Sequence, residues 1–122
     1  MIGYVTLGTN DLARAATFYD RLLKILGAWR TGESDRYIMW GTSQSAPMLC
    51  IIKPHDGRTA TSGNGTMVGL AAGSKSQVDE TYGVAMALGA KDEGAAGPRE
   101  QGFYAGYFRD LDGNKLAVFR ME

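Results

Sequence analysis

The chain has 122 residues, 44% of them hydrophobic, so it can bury one core but is too short for two ordinary domains. Lysine plus arginine and aspartate plus glutamate number 13 each, so no net charge favours nucleic acid, an anionic membrane or an acidic partner. The apolar runs are far shorter than a membrane span, and no basic region precedes an apolar one at the amino terminus. We therefore expect a single cytoplasmic domain, residues 1–122, that binds neither nucleic acid nor a membrane.

The first half of the chain predicts one strand, one helix and three short strands. Residues 2–9 are β-branched and bounded by a turn, and Asn10-Asp11 can cap a helix that follows. Apolar residues recur at three- and four-residue steps from Leu12 to Leu26, and Gly27 is a typical C-terminal cap. The three short strands are predicted at residues 28–30, 36–40 and 48–53, followed by a turn at 54–57.

The second half repeats the first. Residues 58–65, RTATSGNG, are small and polar without periodicity, which predicts a linker. Beyond the linker, Met67-Val-Gly-Leu-Ala-Ala matches Tyr4-Val-Thr-Leu-Gly-Thr, and Leu88-Gly-Ala matches Leu26-Gly-Ala. We predict a duplicated βαβββ unit, with a first module at residues 1–57 and a second at 66–122, whose strands pack into one curved surface containing a cleft.

Glycine and proline are concentrated in the segment at residues 92–102, DEGAAGPREQG, between the second helix and the closing strands. This composition predicts a shaped loop at the rim of the cleft. Arg99 in this loop could meet an anionic ligand, and the alternative is a solvated ion pair with Glu93 or Glu100.

Both ends of the sequence resemble one family. The opening YVTLGTNDLARAATFYDRLLKILGA and the closing FYAGYFRDLDGNKLAVF are similar to the ends of the glyoxalase, bleomycin-resistance and extradiol-dioxygenase superfamily, also called the vicinal oxygen chelate (VOC) family. Asp110-Leu-Asp-Gly-Asn resembles the family's usual D-P-D-G-N turn, with Leu111 in place of proline. The resemblance covers essentially the whole chain.

This resemblance implies an α+β fold in which two βαβββ modules with curved mixed sheets form a cleft, assembled as a homodimer. It also implies that the loop before the F-Y-A strand, which carries Arg99, lies close to the cleft. It does not select a function, because the superfamily contains lyases, isomerases, epoxide-opening transferases, dioxygenases and non-catalytic drug binders.

Family members that use a metal hold it with His, Gln or Glu from the first and last strands of each module. The resemblance places these positions at Tyr4, Cys50, Met67 and Ala117. Alanine has no donor atom, a thioether suits the usual divalent ions poorly, and one tyrosine and one cysteine do not hold an ion alone. We therefore predict no metal at the family site, and no other cofactor.

Two further residues, His55 and Cys50, carry side chains capable of chemistry. His55, the one histidine, stands beside Asp56 in a polar turn, which favours a solvated residue over a ligand or catalyst. Cys50 lies in the apolar strand MLCII without a visible histidine partner, which favours a small core residue over a nucleophile. As the sole cysteine it also excludes an internal disulfide.

The alternation of side chains along strands predicts the lining of the cleft. The predicted lining combines apolar and polar residues, which is the usual composition of a small-molecule site. The alternative is that the apolar residues only fill the core. The predicted lining consists of Tyr4, Thr6, Cys50, Ile52, Met67, Lys115, Ala117 and Phe119, with Arg99 at the rim.

Three classes of function remain open at this stage. One is a metal-independent, glyoxalase-like lyase or isomerase in which Tyr4, Lys115 or Arg99 polarises a carbonyl or holds a carboxylate, although no general base with an orienting partner is evident. The second is a non-catalytic protein that sequesters a drug or metabolite, with a neutral or basic cleft in place of the acidic cleft typical of such members. The third is a structural or regulatory protein, which an exposed Trp29 or Trp40 would favour.

Overall fold

Two βαβββ units follow one another in the computed structural model, which describes all residues from 1 to 122. The first unit contains β1 (Tyr4–Gly8), α1 (Leu12–Ile25), β2 (Trp29–Glu33), β3 (Tyr37–Gly41) and β4 (Met48–Ile52). The second contains β5 (Val68–Ala71), α2 (Lys75–Ala87), β6 (Lys91–Pro98), β7 (Phe103–Arg109) and β8 (Lys115–Met121), with a short 3₁₀ turn at Glu100–Gly102.

Each unit forms one mixed, four-stranded sheet with the same topology. The strand order is β1-β4-β3-β2 in the first sheet and β5-β8-β7-β6 in the second. The first strand of each unit pairs in parallel with the last, and the remaining pairs are antiparallel. The sheets are curved and open. Two helices with two four-stranded mixed sheets of one topology confirm the predicted α+β class and the duplicated βαβββ architecture.

The two helices begin and end in equivalent ways. The Asp11 side chain accepts a hydrogen bond from the Arg14 backbone amide, and the Ser74 side chain accepts one from the Gln77 amide. Both helices end at a Leu-Gly pair in which Gly27 has φ 80° and its counterpart in the second unit has φ 96°. The repeated L-G-A tripeptide therefore marks two helix ends, as its position predicted.

One buried cluster contains side chains from both helices and both sheets, including Tyr19, Trp40, Val78 and Phe108. The units thus pack on each other within one chain through their helix-bearing sides, where α1 contacts α2. No strand pair joins the two sheets, so the single continuous surface expected from the sequence is not formed by strand pairing. Each sheet is instead covered on one face only, by its own helix.

The prediction of a loop at residues 92–102 was wrong for most of its length. Residues Lys91–Pro98 form the edge strand β6, paired with β7 from the Lys91–Arg109 pair to the Pro98–Tyr104 pair. The glycines that suggested a loop accommodate irregular pairing, since the register shifts on both sides of Gly94, whose φ is 151°. Only the turn that follows Pro98 remains outside a strand.

Candidate functional site

Each sheet has one face that no helix covers, and the predicted site residues lie on these two open faces. The first open face carries Tyr4, Thr6, Cys50 and Ile52, with Thr6 and Cys50 paired across β1 and β4. The second open face carries Met67 at the edge of β5, then Lys115, Ala117 and Phe119 on β8. The eight residues therefore fall into two groups of four, one group on each sheet.

Exposure differs sharply within these groups. Tyr4 and Met67 are 64% and 46% exposed, whereas Cys50 and Ala117 are 5% and 2% exposed. Tyr4 and Met67, at the edge of each sheet, are thus open to solvent. Cys50 and Ala117, on the next strand of each sheet, are covered by their neighbours. Two cavities of the protein have volumes of about 580 and 730 Å³. Neither cavity is lined by residues from both open faces.

Ala117 is 2% exposed and is covered by its neighbours in the sheet. It lies between Gly69 on β5 and Tyr107 on β7 in the second sheet. A Cβ on Gly69 would already contact the Phe119 ring at 3.3 Å. Gly69 and Ala117 thus lie side by side near the Phe119 and Tyr107 rings, with Ala117 at one of the four metal-ligand positions of the family pattern.

Tyr107 is the residue of this face that sequence reasoning missed. Its orientation follows from Gly106, where an added Cβ would contact the Tyr82 side chain of α2 at 3.0 Å, so that Tyr107 points to the opposite, open side. Pairing of β7 with β8 places it directly beside Ala117. The alternation of side chains that predicts Ala117 on the open face also predicts Tyr107 there, once the antiparallel pairing of β7 with β8 is known.

The cavity of about 730 Å³ lies on the second open face, at the turn between β6 and β7. Three of its lining residues are hydrophobic or aromatic, and three are polar or charged. They are Phe103, Tyr107 and Met121, together with Arg99, Glu100 and Gln101, and Pro98 completes the wall. The cavity thus joins an apolar wall to a polar rim, the composition of a small-molecule site.

Arg99 lines this cavity, and several of its N–H groups are already occupied. Nη1 donates to the carbonyl oxygens of Gly97 and Pro98 at 3.0 and 3.2 Å, and Nη2 donates to that of Ala95 at 2.8 Å. The guanidinium also lies 5.4 Å from the centre of the Tyr107 ring. The predicted alternative partners Glu93 and Glu100 make no ion pair with it.

The six tyrosines divide by the face on which they lie. On the helix side, the hydroxyls of Tyr19, Tyr82 and Tyr104 each donate to an aspartate, at 2.5, 2.8 and 2.7 Å. The hydroxyls of Tyr4, Tyr37 and Tyr107 on the open faces make no hydrogen bond within the chain. The open faces therefore offer polar groups that the fold itself does not satisfy.

The residues at the family metal positions do not fit a metal ion. Tyr4 and Cys50 lie on one sheet and Met67 and Ala117 on the other, and only the tyrosine and the cysteine offer an oxygen or thiol donor. Elsewhere, no three His, Cys, Asp or Glu side chains form a group that could hold an ion.

Cys50 and His55, the two other residues with reactive side chains, lie away from the cavity of about 730 Å³. Burial raises the pKa of the Cys50 thiol, which favours the unreactive protonated form. His55 is exposed in the turn after β4 and makes no side-chain hydrogen bond. Neither residue is poised as a nucleophile or a general base.

The Asp110-Leu-Asp-Gly-Asn turn has a second role that its sequence did not reveal. It closes as expected, with Gly113 at φ 89° and the Asp110 side chain accepting from the amides of Asp112 and Asn114. It also reaches the first module, because Asp110 accepts from the Tyr19 hydroxyl and Asp112 from the Thr9 hydroxyl. The motif therefore joins the two modules, which fixes how the two open faces are oriented.

Comparison with known proteins agrees with this architecture. Residues 1–118 match the model of the Glyoxalase/Bleomycin resistance protein/Dioxygenase superfamily. A crystal structure of a glyoxalase/bleomycin resistance protein from Albidiferax ferrireducens T118 is 31% identical, with a TM-score of 0.91 over 100% of this chain and 99% of that chain. The chain therefore belongs to the glyoxalase/bleomycin resistance protein/dioxygenase superfamily.

More distant structures share the fold alone. A glyoxalase/bleomycin resistance protein/dioxygenase family enzyme from Burkholderia phytofirmans PsJN is 19% identical, with a TM-score of 0.78 and 98% of each chain covered. A lactoylglutathione lyase from Agrobacterium tumefaciens is 21% identical, with a TM-score of 0.71 over 98% of this chain and 92% of that one. No protein of curated function matches the sequence.

None of the helices has the length and apolar character needed to cross a membrane.

Proposed function

We propose that the protein binds a small organic molecule on the second open face, without a metal or other cofactor. The observation that carries this proposal is the cavity of about 730 Å³ between the Phe103 and Tyr107 side chains and the Arg99 turn. Its apolar wall would bury the body of a ligand, and the unpaired Tyr107 hydroxyl and Arg99 Nε–H would orient it. The free, buried Cys50 is consistent with a reducing compartment, and we place the protein in the cytoplasm.

Binding without turnover is the better supported form of this function. Of the acidic groups near the face, Glu93 is held by Arg109 at 2.7 Å, which lowers the pKa of its carboxyl group and weakens it as a base. Burial raises the pKa of the Cys50 thiol, which disfavours the thiolate, and His55 lies in the turn after β4. A metal-independent lyase or isomerase would need a positioned general base. Glu100 lines the cavity, but no side-chain hydrogen bond orients its carboxylate, so we favour a sequestering protein of the bleomycin-resistance type.

We further propose that the protein is a homodimer in which the open faces are covered. Apolar side chains are exposed on both faces, with Tyr4 at 64%, Trp29 at 52% and Met121 at 55%. Trp29 pairs with Gly41 on the first open face, whereas Trp40 is buried against α1. A second copy that placed its first open face over the second open face of its partner would cover this apolar surface and close the site.

The test is thermal unfolding of the EDTA-treated protein with divalent metals and with a library of anionic, neutral and cationic metabolites and antibiotics. Any ligand that binds only the folded state raises the midpoint. We expect stabilisation by an organic compound and none by Ni²⁺, Zn²⁺, Mn²⁺ or Fe²⁺. A metal-dependent rise would contradict the proposal, and so would a library without a single stabilising compound. Turnover assays with any stabilising compound then separate the sequestering protein from the enzyme.

A further inference from the structure

Two positive charges on the second open face have no direct ion-pair partner. Arg109 is paired with Glu93, at 2.7 Å, and its Nη1 donates to the Gly113 carbonyl oxygen. Arg99 and Lys115, by contrast, take part in none of the four ion pairs of the protein. Glu100, the acidic residue that lines the same cavity, is therefore more than 4.0 Å from the Arg99 nitrogens. Neither Arg99 nor Lys115 therefore has a direct ion-pair partner, although Lys115 is one of the charges that lower the pKa of Glu93.

These two cations converge on one aromatic ring. The Arg99 guanidinium carbon lies 5.4 Å and the Lys115 Nζ 5.8 Å from the centre of the Tyr107 ring. The negative face of a tyrosine ring attracts a cation, but the ring has no net charge with which to compensate two of them. An anion placed beside Tyr107 would be attracted by both positive charges.

The fold holds Arg99 in position before any ligand arrives. Its three hydrogen bonds to the carbonyl oxygens of Ala95, Gly97 and Pro98 fix the guanidinium against the end of β6. The Nε–H has no acceptor in the chain and remains free. Because the side chain is already ordered, a hydrogen bond from Nε to a bound anion would cost little conformational entropy.

The apolar part of the site is aromatic and flat. The Phe103 and Phe119 rings stack at 5.3 Å with an angle of 19° between their planes. Phe103 also lines the cavity beside Tyr107 and Met121. A planar aromatic group gains both burial and ring contacts against such a wall.

We infer that the ligand of this face is an anionic aromatic compound, an aryl carboxylate in its simplest form. Its ring packs against Phe103 and Tyr107 in the cavity, and its carboxylate lies beside Tyr107 at Arg99, on the side of Lys115, which flanks the ring outside the cavity lining. The inference rests on the proposed function, since it names the chemical class of the ligand for the same site.

The experiment titrates the full-length protein with three probes of similar shape and different charge: 2-naphthoate, 2-naphthamide and 2-naphthylmethylammonium. Binding is measured by isothermal titration calorimetry and by saturation-transfer NMR. We expect 2-naphthoate to bind most tightly and Lys115→Met to weaken it roughly tenfold, as for a charge-assisted contact at a partly desolvated site. The affinity for 2-naphthamide should be unchanged by Lys115→Met.

Lys75→Met is the matched control, because the Lys75 Nζ lies 5.6 Å from the Tyr104 ring on the helix side of the same sheet. It should leave 2-naphthoate binding unchanged. If Lys115→Met does not fold, judged by circular dichroism, Lys115→Gln replaces it. Equal binding by the variant, or tighter binding of the neutral or cationic probe, overturns the anionic assignment while the proposed function stands. If neither the probes nor the library bind, both fail.

Discussion

The Tyr19 hydroxyl of α1 donates a 2.5 Å hydrogen bond to the Asp110 carboxylate at the end of β7, which links residues 91 positions apart. Both side chains are buried, and the Asn114 side-chain amide donates to the same carboxylate at 3.0 Å. Because the bond crosses from one module to the other, it stabilises the packing that orients the two open faces.

Removal of this hydroxyl should destabilise the protein. We expect Tyr19→Phe to lower the free energy of unfolding by about 1–3 kcal/mol, because it leaves a buried carboxylate with one donor fewer. Tyr82→Phe is the matched control, since Tyr82 stands at the equivalent place in α2 and donates to Asp92 at the surface. That change should cost much less, because water can replace a hydrogen bond at the surface. Urea denaturation measures both, and equal losses would contradict a special role for the link between modules.

Stability should fall in alkaline solution, and Tyr19 should contribute to the fall. Burial, and next the Asp110 carboxylate, raise the pKa of Tyr19 well above its ordinary value of 10.0. The folded state therefore keeps a proton that the unfolded state loses, so this contribution is complete below pH 10.0 and declines as the pH rises above it. The slope for one proton is about 1.4 kcal/mol per pH unit. Urea denaturation between pH 9 and 11 should show a shallower decline for Tyr19→Phe than for the parent protein.

A charge on the first open face should dissociate the proposed dimer. Trp29 is 52% exposed on β2, and we expect Trp29→Glu to place a carboxylate in the interface and shift the protein to the monomer. Arg21→Glu, on the exposed side of α1, should have no effect on assembly. Analytical ultracentrifugation over a range of concentrations measures both variants. A monomeric parent protein, or a dimer that survives Trp29→Glu, would refute this arrangement.

Cys50 should be slow to react with thiol reagents. It is 5% exposed, and burial raises its pKa, so little thiolate is present and the reagent has poor access to it. We expect labelling by 5,5′-dithiobis(2-nitrobenzoate) at neutral pH to be at least about tenfold slower in the folded protein than in urea. Fast labelling of the folded protein would indicate a reactive thiol and reopen covalent chemistry at this position.

Much of the fold could be predicted from local signals. The period of apolar residues in α1, the cap at Asp11 and the glycine after each helix are contacts between residues near in sequence, so they can be read without the tertiary structure. The repeat predicted two equivalent units, and the structure has two sheets of one topology. The loop predicted at residues 92–102 failed because an irregular edge strand tolerates glycine where a central strand does not.

The sequence alone determined the family pattern, the duplication and the residue types at the four metal-ligand positions, because these depend on which residue stands at which place. Tertiary structure alone decided three other features: the bond from Tyr19 to Asp110, the convergence of Arg99 and Lys115 on Tyr107, and the separation of the predicted lining onto two sheets. Each depends on pairing between distant strands or on packing between modules. The partners of a polar side chain are set by what the folded chain brings within about 3 Å of it, and sequence distance carries no record of that proximity.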